Sequence, residues 1–501
     1  MAGRIVALTL AALILGSVGI VALHADRWSL GAADGAAVRF TVLQAALSAA
    51  LSCGLAVPVA RALARRRFAG RGALIVLMGA PFLLPVVVAV LGLLAVFGRN
   101  GVLNQGLDLA GLPLVSPFGL QGVVLAHVFL NLPLVVRMLL SGWQAIPVER
   151  FRLAQSLGLG PAALLRHLER PMLRAVLPGA AVVVFVLCLT SFAIALTLGG
   201  GPRATTVELA IYQALRFEFD LGRAALLAMV QLALCAMAVG LAGRFALPAG
   251  FGAGLDRALP LHPPRDWRRG TDALWIAAAG LFLLVPLGAV VAQGLPGLIA
   301  MPGEVWAAAG RSVAVAVASA ALAVAGALTL APARGRGIEL AAMLPMAASG
   351  LVLGTGLFLA IHPVLRPETL ALPVTVLVNA ALALPFVYRL ILPEIRSVQA
   401  DYGRLQQALG VQGWTAFRLV TLPRMRSTLG FAGGVALALS MGDLGVNALF
   451  AGETGATLPL VVQRLMGAYQ MQTAAAAALL LVVISLAMFA LCDLWGRHAA
   501  A

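Results

Sequence analysis

The sequence predicts an all-α integral membrane protein of about 12 transmembrane helices in two parallel-repeat halves. Three observations carry this: apolar runs of spanning length, a basic charge that alternates between loops, and a gapless internal repeat. Of the 501 residues, 61% are hydrophobic and only 11% charged, with mean hydropathy +1.00; soluble domains carry about 25% charged residues. About 20 apolar residues span ~30 Å of hydrocarbon as a helix, and helices are the form in which such runs satisfy their backbone in lipid.

Twelve runs qualify, near 5–24, 39–60, 72–97, 120–141, 176–198 and 225–245, then 272–293, 309–332, 338–361, 372–392, 428–449 and 474–493. With the N-terminus inside, the loops near 61–71, 142–175, 244–271, 333–337 and 393–427 are cytoplasmic, as is the C-terminus. They hold most of the arginines, with Arg61, Arg65, Arg66, Arg67 and Arg71 the densest group. The positive-inside rule selects this orientation. A cleaved signal peptide ending near Ala25 is the alternative for the first run, but no A-x-A site follows it.

The net charge of +16 does not indicate nucleic acid, because the arginines lie in short loops rather than on one soluble face. Cys53, Cys188, Cys235 and Cys492 sit within apolar runs and read as small hydrophobes, and the six histidines show no ligand spacing. All 35 basic residues are arginine. A phosphate-binding P-loop needs a lysine, so any ATP that drives this chain is hydrolysed by another polypeptide.

Residues 127–171 align without a gap on 379–423, at an offset of 252. Apolar composition inflates leucine matches, but it does not put Pro133/Pro385, Arg137/Arg389, Gly158/Gly410, Arg166/Arg418 and Pro171/Pro423 in one register. Six spans per repeat return equivalent loops to the same side, which makes the halves parallel repeats. The repeated loop reads RLAQSLGLGPAALLRHLERP, then RLQQALGVQGWTAFRLVTLP. Each copy predicts a short helix closed at glycine in a left-handed cap, then a second short amphipathic helix. One such loop alone could equally lie flat at the membrane interface. Two copies in one register, both cytoplasmic, favour docking to a partner.

At these residues the sequence resembles the permeases of ABC importers of the type I fold. Their signature loop runs from Glu-Ala-Ala through a glycine, here Gly158 and Gly410, to a proline, here Pro171 and Pro423. Arg152 and Arg404 stand in place of the glutamate, with Glu149 and Asp401 three residues earlier, so the carboxylate's role does not carry over. A closer likeness is to fused two-half permeases of thiamine and thiamine pyrophosphate importers. It rests on RRRFAGR at 65–71, SPFGLQGVVLAHVFLNLP at 116–133, SMGDLGVNALF at 440–450 and, above all, GGGPRATTVELAIYQAL at 199–215.

The resemblance implies a multi-pass permease of a bacterial inner membrane, with both termini cytoplasmic. It carries no ATPase site or cofactor of its own; ATP and Mg would sit on a homodimeric ATPase docked at the cytoplasmic loops. That docking surface would comprise Arg152, Leu153, Gly158, Leu165 and Pro171, with Arg404, Leu405, Gly410, Phe417 and Pro423. A periplasmic substrate-binding protein would sit above. The implied divisions are 1–38 (first helix and loop), 39–245 (first permease domain), 246–304 (linker, seventh helix and loop) and 305–495 (second permease domain).

Asp443 and its repeat partner Ser191 are candidates for the translocation pathway, since an intramembrane carboxylate is a functional hypothesis by default and thiamine carries a cationic thiazolium. A structural hydrogen bond is the other reading of Asp443. Thr205, Thr206 and Glu208 open a short periplasmic helix, a candidate contact for the binding protein, and Arg137 and Arg389 read as snorkelling. Rival functions are a permease for iron(III), polyamine or another small solute, or an ion-coupled secondary transporter, which usually needs several embedded ionisable groups. The topology is tested by fusing alkaline phosphatase at Arg67, Thr205 and the C-terminus. Only the Thr205 fusion should be active, and activity at either other site overturns the orientation.

Overall fold

Apolar runs fold here into helices whose small residues permit close packing. The computed structural model describes residues 2–25, 30–79, 84–242, 268–333, 335–411, 413–452 and 454–497. Most of the expected linker at 244–271 lies outside them. Among the described residues, 11 helices are long and apolar enough to span a membrane, and 12 if one bent pair counts as a single span.

The first half comprises α1 (Ala2–His24), α2 (Ala32–Arg65), α3 (Arg71–Leu77), α4 (Val86–Phe97) and α5 (Leu120–Gln144), followed by α6 (Val148–Ser156), α7 (Arg170–Leu189), α8 (Phe192–Leu198), α9 (Val207–Gln213) and α10 (Leu221–Ala242). The second comprises α11 (Arg268–Gly294), α12 (Gly303–Leu330), α13 (Arg336–Met343), α14 (Gly350–Ile361), α15 (Ala371–Ala408), α16 (Leu422–Met441), α17 (Gly445–Phe450), α18 (Leu458–Gly467) and α19 (Met471–Arg497).

Several spans expected to be continuous are broken. The run at 338–361 bends by 93° between α13 and α14. Pro345 removes a backbone donor there, and the Ser349 hydroxyl accepts from Val352 N–H at 3.1 Å to restart the helix. The run at 72–97 divides into α3 and α4, and α4 starts directly after Pro85. The run at 176–198 is interrupted at Thr190–Ser191, and that at 428–449 at residues 442–444. Each interruption lies at an equivalent place in the two halves.

The first helix of each half is exchanged. α1 packs on α10 of its own half but also on α12 and α14 of the other, while α11 packs on α19 and crosses to α2 and α4. Glycine closes both crossings. A methyl group built on Gly356 would lie 2.5 Å from the Ser17 carbonyl oxygen, and one on Gly92 2.7 Å from that of Pro286. Without a hydrophobic drive between helices in lipid, such backbone approach is what holds them together. Gly92→Leu or Gly356→Leu should each lower stability by about 2–3 kcal/mol, read as a fall in the melting midpoint of the detergent-solubilised protein; an unchanged midpoint would refute this packing.

Candidate functional site

Both repeated loops close their first helix as expected. Gly158 has φ +62° and Gly410 φ +66°, a conformation that glycine adopts at little cost. The Gly158 N–H donates to the Gln155 carbonyl and Leu159 N–H to that of Ala154; Gly410 N–H and Val411 N–H donate to Gln407 and Gln406 in the same way. This paired pattern is the Schellman motif.

The second short helix does not stand alone. In each half one α-helical turn, Pro161–Leu164 or Gly413–Ala416, runs through a π-helical turn, Leu165–Glu169 or Phe417–Thr421, directly into α7 or α16. The prolines Pro171 and Pro423 account for the widening. A proline ring clashes with the carbonyl four residues back in α-geometry. Here the preceding residues, Arg170 and Leu422, donate instead five residues back, to Leu165 and Phe417. The second part of each repeated loop is therefore the base of a long apolar helix.

The halves differ before the glycine. Pro147, which has no N–H, separates α5 from α6, whereas the second half has Gln399 at that position and α15 continues unbroken to Ala408. Leu153 and Leu405 are 60% and 53% exposed, and Leu157 and Leu409 are 64% and 67% exposed. These matched apolar side chains are exposed in the same register in both halves. Arg152 and Arg404 are exposed beside them, with Glu149 and Asp401 also exposed; Leu165 is 38% exposed and Phe417 half-buried. Trp414, 73% exposed, stacks on Phe417 at 5.3 Å.

No sequence signal pairs Arg61 with Glu169, yet the Glu169 carboxylate, fully buried in the first π-turn, lies 2.7 Å from Arg61 on α2. Thr421 takes that place in the second half, where Arg424 instead donates to Tyr402. Arg389 is exposed as snorkelling requires, but Arg137 is half-buried with its guanidinium against Gly79.

Ser191 and Asp443 fall in the two equivalent helix breaks, and the structure brings these breaks together. A methyl group built on Gly445 would lie 3.6 Å from the Phe192 ring, and one on Gly442 3.4 Å from Cα of Pro85. The Asp443 carboxylate faces the backbone N–H groups of Gly445, Val446 and Asn447 and the Asn379 side chain, while its Oδ2 has no hydrogen-bond partner. These contacts give Asp443 the hydrogen bonds of the structural reading, at the place where the two breaks meet.

Thr206 and Glu208 are each 1% exposed, so neither is presented to a partner in this conformation, and only Thr205 of the three is half-exposed. Thr206 is the cap of α9, accepting from Leu209 N–H at 3.3 Å, and Val207 N–H donates to Thr41 of α2 at 2.9 Å. At the start of α18, Leu458 N–H donates to Ser312 of α12 at 2.7 Å. Glu208 points inward toward Gln231 and toward Ser349 of the other half. Burial of these hydroxyl and carboxyl groups at helix starts, rather than exposure, explains their presence.

No family model matches the chain. It is 40% identical over 479 residues to the thiamine transport system permease protein ThiP of Salmonella typhimurium, covering 92% of this chain and 89% of that protein. It is 38% identical over 470 residues to the ThiP of Brucella abortus, covering 91% and 86%. The molybdenum transport system permease protein ModB of Azotobacter vinelandii is 31% identical over 178 residues, 78% of its own length but 36% of this chain. A permease of one-half size therefore matches a part of this chain, as a two-half architecture requires, and the chain belongs to the family of thiamine transport system permeases.

Proposed function

We propose that the chain is the membrane-spanning permease subunit of an ATP-driven ABC importer, moving thiamine or thiamine pyrophosphate from a periplasmic binding protein to the cytoplasm. The observation that carries this reading is the pair of equivalent docking elements. Each is a glycine-capped knob with exposed leucines, and each is continuous through a π-turn with a helix that leads to the central breaks at Ser191 and Asp443. Two related surfaces on one chain fit a two-fold ATPase dimer, and the names of the relatives support thiamine as cargo.

In mechanism, the ATPase pulls the docking elements together and apart. Because α7 and α16 continue from these elements, displacement there moves the breaks at which the two halves meet. Alternating access then follows from a population shift between two arrangements of the halves, driven by nucleotide bound elsewhere. The half-buried Asp443 supplies negative charge where an organic cation would pass.

In proteoliposomes, the chain with its ATPase and binding protein should take up thiamine only with ATP; uptake by the chain alone under an ion gradient overturns the proposal. The double variant Leu153→Asp, Leu405→Asp places a charge on each apolar knob and should weaken ATPase co-purification by roughly 100-fold, two truncated anchors at about 1–2 kcal/mol each. Retention of the ATPase by that variant refutes the docking assignment. Gly158→Val with Gly410→Val forces a branched residue to positive φ, costs about 1–2 kcal/mol at each site, and should reduce ATP-coupled uptake while leaving the protein in the membrane.

A further inference from the structure

We infer that Phe217, Tyr212 and Phe192 line the route of an aromatic organic cation, with Asp443 as its counter-charge at the inner end. This rests on the thiamine reading and names the side chains that would select that cargo. The three rings form a graded series. Phe217 is 69% exposed, Tyr212 half-buried and Phe192 5% exposed. The Phe217 and Tyr212 centroids are 5.7 Å apart with the rings at 88°, and those of Tyr212 and Phe192 are 5.2 Å apart at 59°. Phe192 directly follows Ser191 in the break of the first half, and its ring lies against Gly445, two residues from Asp443 in the break of the second. The series therefore runs from an exposed end of one half to the junction between halves.

Two carboxylates along it are left without a basic partner. Asp34, Glu169 and Asp272, all buried, each have an arginine within 2.8 Å. Among the described residues, Asp443 and the buried Glu208 are in no ion pair, and both retain a carboxylate oxygen without a hydrogen-bond partner. Glu208 precedes Tyr212 by four residues on α9, which puts the two on one helix face. Arg216 and Arg464 flank Tyr212 and donate to the Ala451 and Gly452 carbonyls at 3.0 and 2.8 Å; they keep their positive charge, so the counter-charge for a cation has to come from Asp443 and Glu208. A delocalised organic cation gains from ring faces.

The test uses the complete transporter in proteoliposomes, reading ATP-dependent uptake of radiolabelled thiamine per assembled complex. Tyr212→Leu and Asp443→Asn should each lower uptake roughly tenfold, and Tyr212→Phe, which keeps the ring, by less than about twofold. Phe217→Leu alters an exposed side chain, so it reads the route even where a buried variant fails to assemble, and should lower uptake roughly threefold to tenfold. Wild-type rates in both Tyr212→Leu and Phe217→Leu overturn the inference, as does a Tyr212→Phe loss equal to that of Tyr212→Leu. A wild-type complex that imports another solute but no thiamine overturns the thiamine reading and this inference with it, an outcome distinct from normal thiamine uptake by the ring variants.

Discussion

The exchange of α1 and α11 between halves is the constraint on which the remaining architecture depends. Each crossing is closed by backbone against backbone, at Gly356 over Ser17 and Gly92 over Pro286. Dispersion falls off steeply with separation, so a helix held at this range resists being drawn away. With each half gripping the other's first helix, the halves cannot simply part. The helix breaks at Ser191 and Asp443 also lie where the two halves meet.

Much of this was legible in the sequence. The offset of 252 identifies the equivalent halves, and Gly158 and Gly410 occupy the positive-φ positions that their spacing implies. The helix breaks were harder to see, because hydropathy averages across an interruption of two or three residues. Pro345, Ser349, Gly442 and Asp443 are its local marks. The exchange of first helices leaves little trace, since the glycines that permit it resemble any other small residue in an apolar run. Nor does the short helix after the fifth span announce that Thr206 and Glu208 face inward. Its polar start reads as a candidate partner contact until Thr41 and Gln231 are placed beside it.

The ion pairs follow the same division of labour. Arg223 joins Asp34 at the start of α2 and also pairs with Glu218, fixing the start of α10. Arg65 and Arg66 meet Asp272 near the start of α11. Arginine suits such sites because its planar fork engages carboxylates while its charge persists on burial. Two arginines of the densest basic cluster thus seat the exchanged helix of the second half.

The break at Pro147 has a mechanical consequence. On one side of the molecule the repeated loop hangs from a jointed arm, α5 and α6. On the other it ends a single rod, α15, of 38 residues, about 57 Å long at 1.5 Å per residue. An equal push on both arms is thus taken up partly as bending at the joint on the first side and transmitted with less loss on the second. A symmetric motor coupled to this chain would produce an asymmetric stroke, with the second half leading and the first following.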